Sequence, residues 1–405
     1  MRIRDIKACT FAVHVFIFYV MLKYDFIVLG SGAAGLSLLM RMIGSQQFGD
    51  KKFLLIDRQT KNKNDRTWCF WEDRNGFFES VVYKKWEHIS FYSNNFSKEI
   101  NIRPYKYKMI RGIDFYEHCF QQIASQPNID IMYGEVRSVV NDQHETVIYF
   151  ADKELHCFPA IIFNSIYKPS DLLRGSLQLL QHFKGWFIET IEPVFDPEKA
   201  TLMDFRVHQQ FGTSFVYVLP LSRTTALVEY TLFTESTLEA EQYDTEIRNY
   251  IEKYLKLKHF TIREEEFGII PMTNRKFEFF QNGMYNIGIA GGQTKASTGY
   301  TFQFIQKQTQ SIVDCLIQSK PLSSIQPTPK RFHFYDSVLL ELLVSKELPG
   351  REIFTRMFER NTTSHIFKFL DNETSFFEDL KLIRTLQTVP FLKATARFVA
   401  NRITK

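Results

Sequence analysis

Two apolar runs near the start of the chain end in glycines and in an acid. The first covers residues 25–29 and leads into the segment GSGAAG at residues 30–35, and the second covers residues 52–57 and ends in Asp57. Between them, apolar residues at 36–42 continue in a pattern that predicts a buried helix. This order of strand, tight turn, helix, strand and acid predicts a complete βαβ unit.

Later patterns predict a β-rich middle and a helical end. Residues 201–233 predict a hairpin, and residues 285–292 predict a second buried strand that runs into glycines and a helix. After about residue 320 the pattern is mostly helical, and no internal repeat is visible. We therefore predict an α/β (α+β) fold with a Rossmann-like domain, a β-sheet domain and a helical C-terminal region.

The first 22 residues contain an apolar stretch from Ala8 to Leu22. It is too short to predict a membrane span, and it lacks a small-residue cleavage site. Met21 directly precedes the first predicted strand, so we favour an upstream-start extension over a signal-like anchor. Charges interrupt every other apolar run, and no other segment is a candidate membrane helix.

The net charge and the spacing of cysteines and histidines argue against several classes of function. Lys+Arg 50 against Asp+Glu 45 gives a net charge of +5 without a long basic run, which argues against a nucleic-acid partner. The 5 cysteines form no CxxC pair and the 10 histidines no HExxH, so we predict neither a disulfide framework nor a metal site. Aromatic residues make up 15% of the chain, with 40 Phe, more than an ordinary core requires.

The first glycine segment has the spacing of a dinucleotide-binding turn. Gly30 allows the tight turn, Gly32 lets the backbone approach a pyrophosphate, and Gly35 permits close packing of helix and strand. NAD and FAD both use this device, but a second glycine-rich strand end about 250 residues later favours FAD bound along its whole length. The residues predicted to bind the cofactor here are Gly30, Gly32, Ala33, Ala34, Gly35, Asp57 and Arg58.

The second glycine-rich segment, Gly288 to Thr301, is expected to face the flavin ring. Ser297 or Thr298 could cap a helix beginning near Gly299, and a helix N-terminus there would stabilise a reduced, anionic flavin. The alternative is an ordinary glycine-rich turn. The residues predicted to bind the flavin here are Gly291, Gly292, Ser297, Thr298 and Gly299.

Glu229 lies in the middle of a predicted apolar strand, residues 225–233. Alternation gives it apolar neighbours whichever face of the strand is inward. In a dry pocket, desolvation would raise the pKa of its carboxyl and make it a general acid. The strand alone favours the other interpretation, a solvated glutamate on the outer face.

The segment DRTWCFWE, residues 65–72, places aromatic rings beside an arginine and acids where polar loop residues are expected. It is either a core plug or a cavity wall, and the pattern does not decide between them. Cys69 is most simply a buried, inert thiol.

Five ordered motifs resemble the bacterial lycopene cyclase family, which makes β-ends on carotenoids. They are GSGAAG, DRTWCFWE, the stretch Phe215 to Phe233, GIIPM (Gly268 to Met272) and IGIAGGQTKASTGYTF (Ile287 to Phe302). The match runs from about Tyr24 to the C-terminal helices. It implies an FAD-binding fold similar to aromatic hydroxylases and geranylgeranyl reductases.

The resemblance also implies a reaction and residues that perform it. The family cyclises lycopene without net redox change, as an intramolecular lyase that requires reduced FAD, with NADPH as the usual electron donor. Its essential acid corresponds to Glu229, which reverses our interpretation of the strand alone. Many members have a second acid directly after it, where this chain has Tyr230, so a scheme with paired carboxylates at that point is in doubt. The residues expected near substrate or flavin are Asp65, Arg66, Trp68, Phe70, Trp71 and Glu72.

The resemblance suggests a division of the chain into domains. It comprises a leader or upstream-start extension (1–22), a discontinuous FAD-binding domain (23–75, 105–165 and 265–320), a β-rich substrate domain (76–104 and 166–264) and a helical C-terminal region (321–405).

A hydrocarbon substrate stored in lipid implies a peripheral enzyme on the cytoplasmic face of the cell membrane. Part of its docking surface could be the Phe-rich helical tail, although core packing explains those residues equally well; they are Phe354, Phe358, Phe367, Phe369, Phe376 and Phe377. Two other functions stay open: a redox flavoenzyme of the same fold, such as a hydroxylase or prenyl reductase, and a non-enzymatic carotenoid carrier.

Overall fold

The computed structural model describes residues 21–168 and 176–403, with side chains up to residue 400. The predicted leader, apart from its last two residues, lies outside the described residues. No helix within the described ranges is both long and apolar enough to cross a membrane.

Helices are numbered in chain order. They are α1 (Ala33–Ser45), α2 (Gly112–Ala124), α3 (Ala240–Tyr250), α4 (Phe302–Ile317), α5 (Lys330–Ser345), α6 (Gly350–Arg360), α7 (Thr363–Leu370), α8 (Phe376–Ile383) and α9 (Thr388–Ile403).

Strands are numbered in the same way. They are β1 (Phe26–Leu29), β2 (Phe53–Asp57), β3 (Thr67–Glu72), β4 (Lys84–Trp86), β5 (His88–Ser93), β6 (Phe96–Asn101), β7 (Lys106–Arg111), β8 (Ile129–Tyr133), β9 (Ser138–Asn141), β10 (Thr146–Tyr149), β11 (Glu154–Cys157), β12 (Ile161–Asn164), β13 (Gln178–Glu189), β14 (Lys199–Asp204), β15 (Thr213–Pro220), β16 (Thr225–Thr234), β17 (Thr261–Thr273), β18 (Phe280–Gln281) and β19 (Met284–Asn286).

The N-terminal strands belong to a mainly parallel sheet with the order β18-β19-β12-β1-β2-β8, here called the parallel sheet. β1 and β2 are buried along their whole length, as their continuous apolar runs predict. Apolar residues of α1, α2 and α4 cover one face, and the small sheet β11-β10-β9 covers the other. The predicted βαβ unit is therefore present.

A second, larger sheet has the order β17-β13-β16-β15-β14-β5-β6 and is here called the large sheet. Its two faces differ: one packs on α3, and the other faces a small sheet (β3-β7-β4) and the C-terminal helices. β13 lies between β16 and β17 in this sheet and pairs with both. Because β17 reaches Thr273, residues 265–273 belong to this sheet and not with the cofactor segments to which the sequence analysis assigned them.

The helical tail explains part of the phenylalanine excess. Phe354 of α6 stacks on Phe205, which directly follows β14, and Phe358 of α6 stacks on Phe91 of β5; Phe367 of α7 is fully buried. These rings fill the core and do not form a docking surface. Of the tail residues singled out from the sequence, only Phe376 and Phe377 are strongly exposed, at 54% and 82%.

Residues 285–292 do not form one strand. β19 ends at Asn286, and Gly288 to Gly291 form a 3-10 turn. Gly288 and Gly292 have positive φ angles of 61° and 73°, which extended strand backbone does not allow.

Candidate active site

The first glycine turn leaves the N-terminus of α1 open. α1 begins at Ala33, and its N-cap residue Gly32 makes no side-chain capping bond. No atom lies within 4 Å of the place where a Cβ on Gly32 would stand. Gly30 has φ +96°, and a Cβ on Gly35 would lie 2.0 Å from the Gly30 carbonyl oxygen, so both glycines are required by the turn itself. Free backbone N–H groups beside open space suit a phosphate group.

Asp57, at the end of β2, lies against this turn. Its Oδ2 accepts hydrogen bonds of 2.7 Å from both the backbone N–H and the hydroxyl of Ser31. Burial alone would raise the pKa of Asp57, but these bonds and nearby Lys61 keep that pKa below its ordinary value. The carboxylate is therefore ionised and can accept hydrogen bonds from ribose hydroxyls.

The second glycine segment differs from its prediction. α4 begins at Phe302, three residues later than expected, and neither Ser297 nor Thr298 caps it. Ser297 donates instead to Asp336 (2.6 Å), while the Thr298 hydroxyl is buried without a partner among the described residues. The physical reason is a turn at Gly299, whose φ of +73° cannot belong to a helix.

Gly299 lines the cavity described below, whereas Gly291 and Gly292 do not. A Cβ on Gly299 would lie 1.9 Å from the side-chain oxygen of Gln181 on β13, so glycine permits the close approach of this turn to the large sheet. A Cβ on Gly291 would instead meet the Asn286 carbonyl oxygen, and one on Gly292 would meet Phe277. These two glycines shape the 3-10 turn.

A cavity of about 370 Å³ joins the first glycine turn to the large sheet. Gly32, Ala33, Ala34 and Arg58 line it at the parallel sheet, and Gly299 lines it at the second turn. Its other walls come from the strands of the large sheet and from β3 and β7; they include Tyr107, Gln181, Tyr217, Leu219, Leu227, Glu229, Gly268 and Ile270. Its volume is in the usual range of small-molecule sites.

Glu229 of β16 brings a carboxyl group to the large-sheet wall of this cavity. The strand pairing places it directly opposite Tyr217 on β15 and Gly185 on β13. The Thr231 hydroxyl donates to its Oε1 at 2.8 Å. Burial is the main cause that raises the pKa of Glu229 well above its ordinary value, and the charge of the neighbouring Glu266 raises it further. Both effects favour the protonated form of this carboxyl.

Tyr230, the next residue, points to the opposite face of the sheet. It is fully buried among the residues that pack on α3. It therefore takes no part in the cavity, and no second acid could act from this position on the strand.

Glu266 of β17 is the neighbour that the sequence analysis missed. It pairs with Gly185 from the other side of β13, so it shares a face with Glu229. The only sequence signal for it is its place two residues before the GIIPM motif, within a run of three glutamates that does not distinguish one from another. The register of strands that are far apart in sequence brings it close to Glu229.

The aromatic segment divides between two sites. Arg66 and Trp68 line the cavity, together with Asp65 and the partly buried Cys69. Phe70 instead stacks on Phe302 in the core, with ring centroids 4.6 Å apart. The segment is thus a cavity wall at its start and a core plug further on.

Trp71 and Glu72 complete the buried end of β3. The Trp71 ring stacks on Phe367 and its indole N–H donates to Asp371 (2.6 Å). Glu72 pairs with buried Lys108 (2.7 Å). Phe70, Trp71 and Glu72 line a different pocket, beside α4, and do not reach the cavity.

Rings other than the predicted ones surround the acid. The hydroxyls of Tyr107, Tyr217 and Tyr300 lie close enough to Glu229 for a charge on that carboxyl to raise their pKa. Burial raises the pKa of all three, so they are neutral. Within the described part of the chain, no cluster of three or more His, Cys, Asp or Glu is arranged to hold a metal ion.

Comparison with known proteins identifies a family and a relative that match most of the chain. The family model described as "Lycopene cyclase protein" matches residues 25–396. A lycopene beta-cyclase of Pantoea ananas is 26% identical over 289 residues, which cover 69% of this chain and 71% of that protein.

Solved structures with the same fold are more distant in sequence. The flavin-dependent brominase Bmp2 has a TM-score of 0.61 at 12% identity, covering 86% of this chain and 94% of that one. A geranylgeranyl bacteriochlorophyll reductase-like protein from Thermoplasma acidophilum has a TM-score of 0.56 at 14% identity, with 93% and 96% covered. The halogenase PltM, solved in complex with FAD, has a TM-score of 0.55 at 11% identity, with 92% and 85% covered. The predicted fold class is confirmed.

Proposed function

Because the chain belongs to the lycopene cyclase family, we propose that it cyclises the linear ends of lycopene to β-ionone rings, giving γ-carotene and β-carotene, with FAD as cofactor and Glu229 as the acid. One observation carries the proposal: the carboxyl of Glu229, which forms no ion pair with any described residue, faces a cavity whose other end is an open dinucleotide-type turn. This combination suits acid chemistry in a dry site beside a flavin.

The residues of the turn fit FAD. The open N-terminus of α1 and Gly32 would hold the pyrophosphate, and ionised Asp57 would hold the ribose. Arg58 and Gly299 border the same cavity and would contact the rest of the cofactor. When bound in its reduced form, which NADPH would maintain, the flavin supplies negative charge beside a carbocation.

Glu229 supplies the proton. Its O–H bond breaks as a C–H bond forms at the terminal double bond of the polyene, leaving a carbocation in the substrate. Attack by a neighbouring double bond closes the ring, and a proton leaves a ring carbon, so that no proton is consumed overall. The aromatic faces of Tyr107, Tyr217 and Tyr300 stabilise the positive charge, and Leu219 and Leu227 keep water out.

The cofactor domain of this proposal consists of the parallel sheet with its helices, and the substrate domain consists of the large sheet. We propose that the enzyme docks peripherally on the cytoplasmic face of the cell membrane through α8 and α9. Exposed apolar side chains there lie among exposed basic ones, a combination that suits an anionic lipid surface. They are Phe376, Phe377, Val389 and Leu392, with Lys381, Arg384 and Lys393.

The test is expression in cells that accumulate lycopene, with pigments separated by chromatography. We expect cyclic carotenoids, and a purified protein with flavin absorbance. Unchanged lycopene beside a folded, flavin-bound protein would overturn the proposal. Consumption of NADPH in proportion to product would indicate a redox flavoenzyme, and pigment binding without flavin would indicate a carrier.

A further inference from the structure

A second carboxyl group reaches the position of the acid from another strand. Glu229 on β16 and Glu266 on β17 both pair with Gly185 on the strand between them. Residues directly opposite in antiparallel pairs point to the same face of the sheet. The two glutamates are therefore two strand spacings apart, about 10 Å at the backbone, with their side chains on one face.

Gly185 allows these two side chains to meet. A Cβ at this position would lie 2.8 Å from Leu227 Cδ1, 3.1 Å from Glu266 Cγ and 3.2 Å from Glu266 Oε1. Glu266 thus lies over the glycine and points toward β16. The two carboxyl groups are close enough for each to change the pKa of the other.

The hydrogen bonds of the pair are incomplete without a proton. Thr231 donates to Glu229 Oε1, and Thr67 of β3 donates to Glu266 Oε2 at 2.6 Å. Glu266 Oε1 is buried and accepts no well-formed hydrogen bond from the described residues. A proton on the Glu229 carboxyl would give this oxygen its missing donor.

No cation forms an ion pair with either carboxyl within the described ranges. Glu229 is surrounded by neutral groups of β3, β7, β15 and the turn before α4, namely Cys69, Tyr107, Tyr217 and Tyr300. Glu266 also interacts with Arg66 and Glu264 at a distance. Two adjacent negative charges in such a site are strongly unfavourable, whereas one charge and one proton are not.

We propose that Glu229 and Glu266 hold one proton in common, and that Glu266 is the positioning residue that keeps this proton on the catalytic pair. The inference rests on the proposed function, in which Glu229 protonates the polyene. In each cycle one proton passes from the pair to carbon, and the proton released from the ring carbon returns to the pair. Between these two steps both carboxylates are ionised, and the positive charge of the adjacent carbocation offsets their repulsion.

The test is the pH profile of cyclisation in the Glu266→Gln variant. Burial and the like charge of Glu266 both raise the pKa of Glu229. Activity should fall with rising pH as the pair loses its proton. Because Glu266→Gln removes the like charge, the pH at which this fall is half complete should decrease by about one unit or more. Glu265→Gln is the matched control, because Glu265 is exposed and pairs with Lys184 on the other face. If the pH of half-maximal activity in Glu266→Gln equals that of wild type, the inference is wrong, whatever the loss in rate.

Gly185→Ala provides a second variant if Glu266→Gln does not fold. It retains both carboxyls and separates them, so it should also decrease the pH of half-maximal activity. An unchanged pH of half-maximal activity in a folded Gly185→Ala protein would also contradict the shared proton.

Infrared difference spectra separate this inference from the proposed function. Among its protonated carboxyl bands at neutral pH, the purified protein should show one that disappears in Glu229→Gln and titrates at lower pH in Glu266→Gln. If the band behaves in this way but lycopene is not cyclised, the pair stands and the proposed function falls. If lycopene is cyclised and no such band exists, the reverse holds.

Discussion

The two faces of the large sheet treat buried carboxylates in opposite ways. On the face that packs on α3, Asp204 is fully buried and saturated with donors: it accepts from the backbone N–H (3.0 Å) and Nε (2.9 Å) of Arg206, and from the Tyr250 hydroxyl (2.8 Å). On the cavity face, Glu229 and Glu266 each accept one hydroxyl hydrogen bond, and neither forms an ion pair with a residue that the structure describes.

The difference separates stability from chemistry. A buried carboxylate with a cation and hydrogen bonds is an element of structure, and breaking it costs folding free energy. A buried carboxyl without a cation retains its proton and is poised to give it away. The same sheet provides both, one on each face.

The largest expected effect is on the cavity face. Glu229→Gln should reduce cyclisation about 100- to 10,000-fold, because glutamine has no proton to donate to carbon. Its free energy of unfolding should be unchanged or increased, since an unpaired ionisable group is removed from a dry site. Product formation from lycopene and urea unfolding measure the two quantities.

The matched control for Glu229→Gln is Glu246→Gln. Glu246 on α3 is a buried carboxyl on the opposite face, where burial raises its pKa as well. This variant should cyclise lycopene at the wild-type rate and retain flavin absorbance. Full activity of Glu229→Gln would remove the acid assignment.

The next effect should appear on the other face. Asp204→Ala leaves the guanidinium of Arg206 and the hydroxyl of Tyr250 without their acceptor, which should lower the free energy of unfolding by about 2–4 kcal/mol. The folded fraction should keep its cyclisation rate, because Asp204 lies away from the cavity. A urea midpoint equal to that of wild type would show that the two faces do not differ as proposed.

Local patterns predicted the parts of the site that are continuous in sequence. Phe26 to Asp57 form one βαβ unit, so spacing alone identifies the turn, the helix and the acid. Alternation along β16 likewise separates Glu229 from Tyr230. Each of these predictions depends on residues within one or two elements, where geometry is fixed by the period of the helix or strand.

Long-range register and turn conformation were not predictable in this way. Glu266 meets Glu229 because β17 and β16 both pair with the strand that contains Gly185. Gly185 is about 40 residues or more from either glutamate in sequence, and nothing local encodes that pairing. Ser297 resembled a helix cap, but its hydroxyl is used by Asp336 of α5. Trp71 resembled a cavity residue, but α7 covers its ring.

The smallest expected effect is a pH dependence of stability. Burial raises the pKa of Glu229 and Glu266 in the folded protein, whereas in the unfolded chain glutamates titrate near about 4.3. Above that pH the unfolded state releases protons that the folded pair retains, so the contribution of the pair to stability falls as pH rises through the raised pKa. A shift of one unit corresponds to about 1.4 kcal/mol.

Urea unfolding between about pH 4.3 and 8 tests this dependence. The free energy of unfolding should decline more steeply with pH in wild type than in a Glu229→Gln/Glu266→Gln double variant, while Glu265→Gln follows wild type. Parallel curves for wild type and the double variant would mean that the cavity face holds its carboxylates as securely as the opposite face holds Asp204.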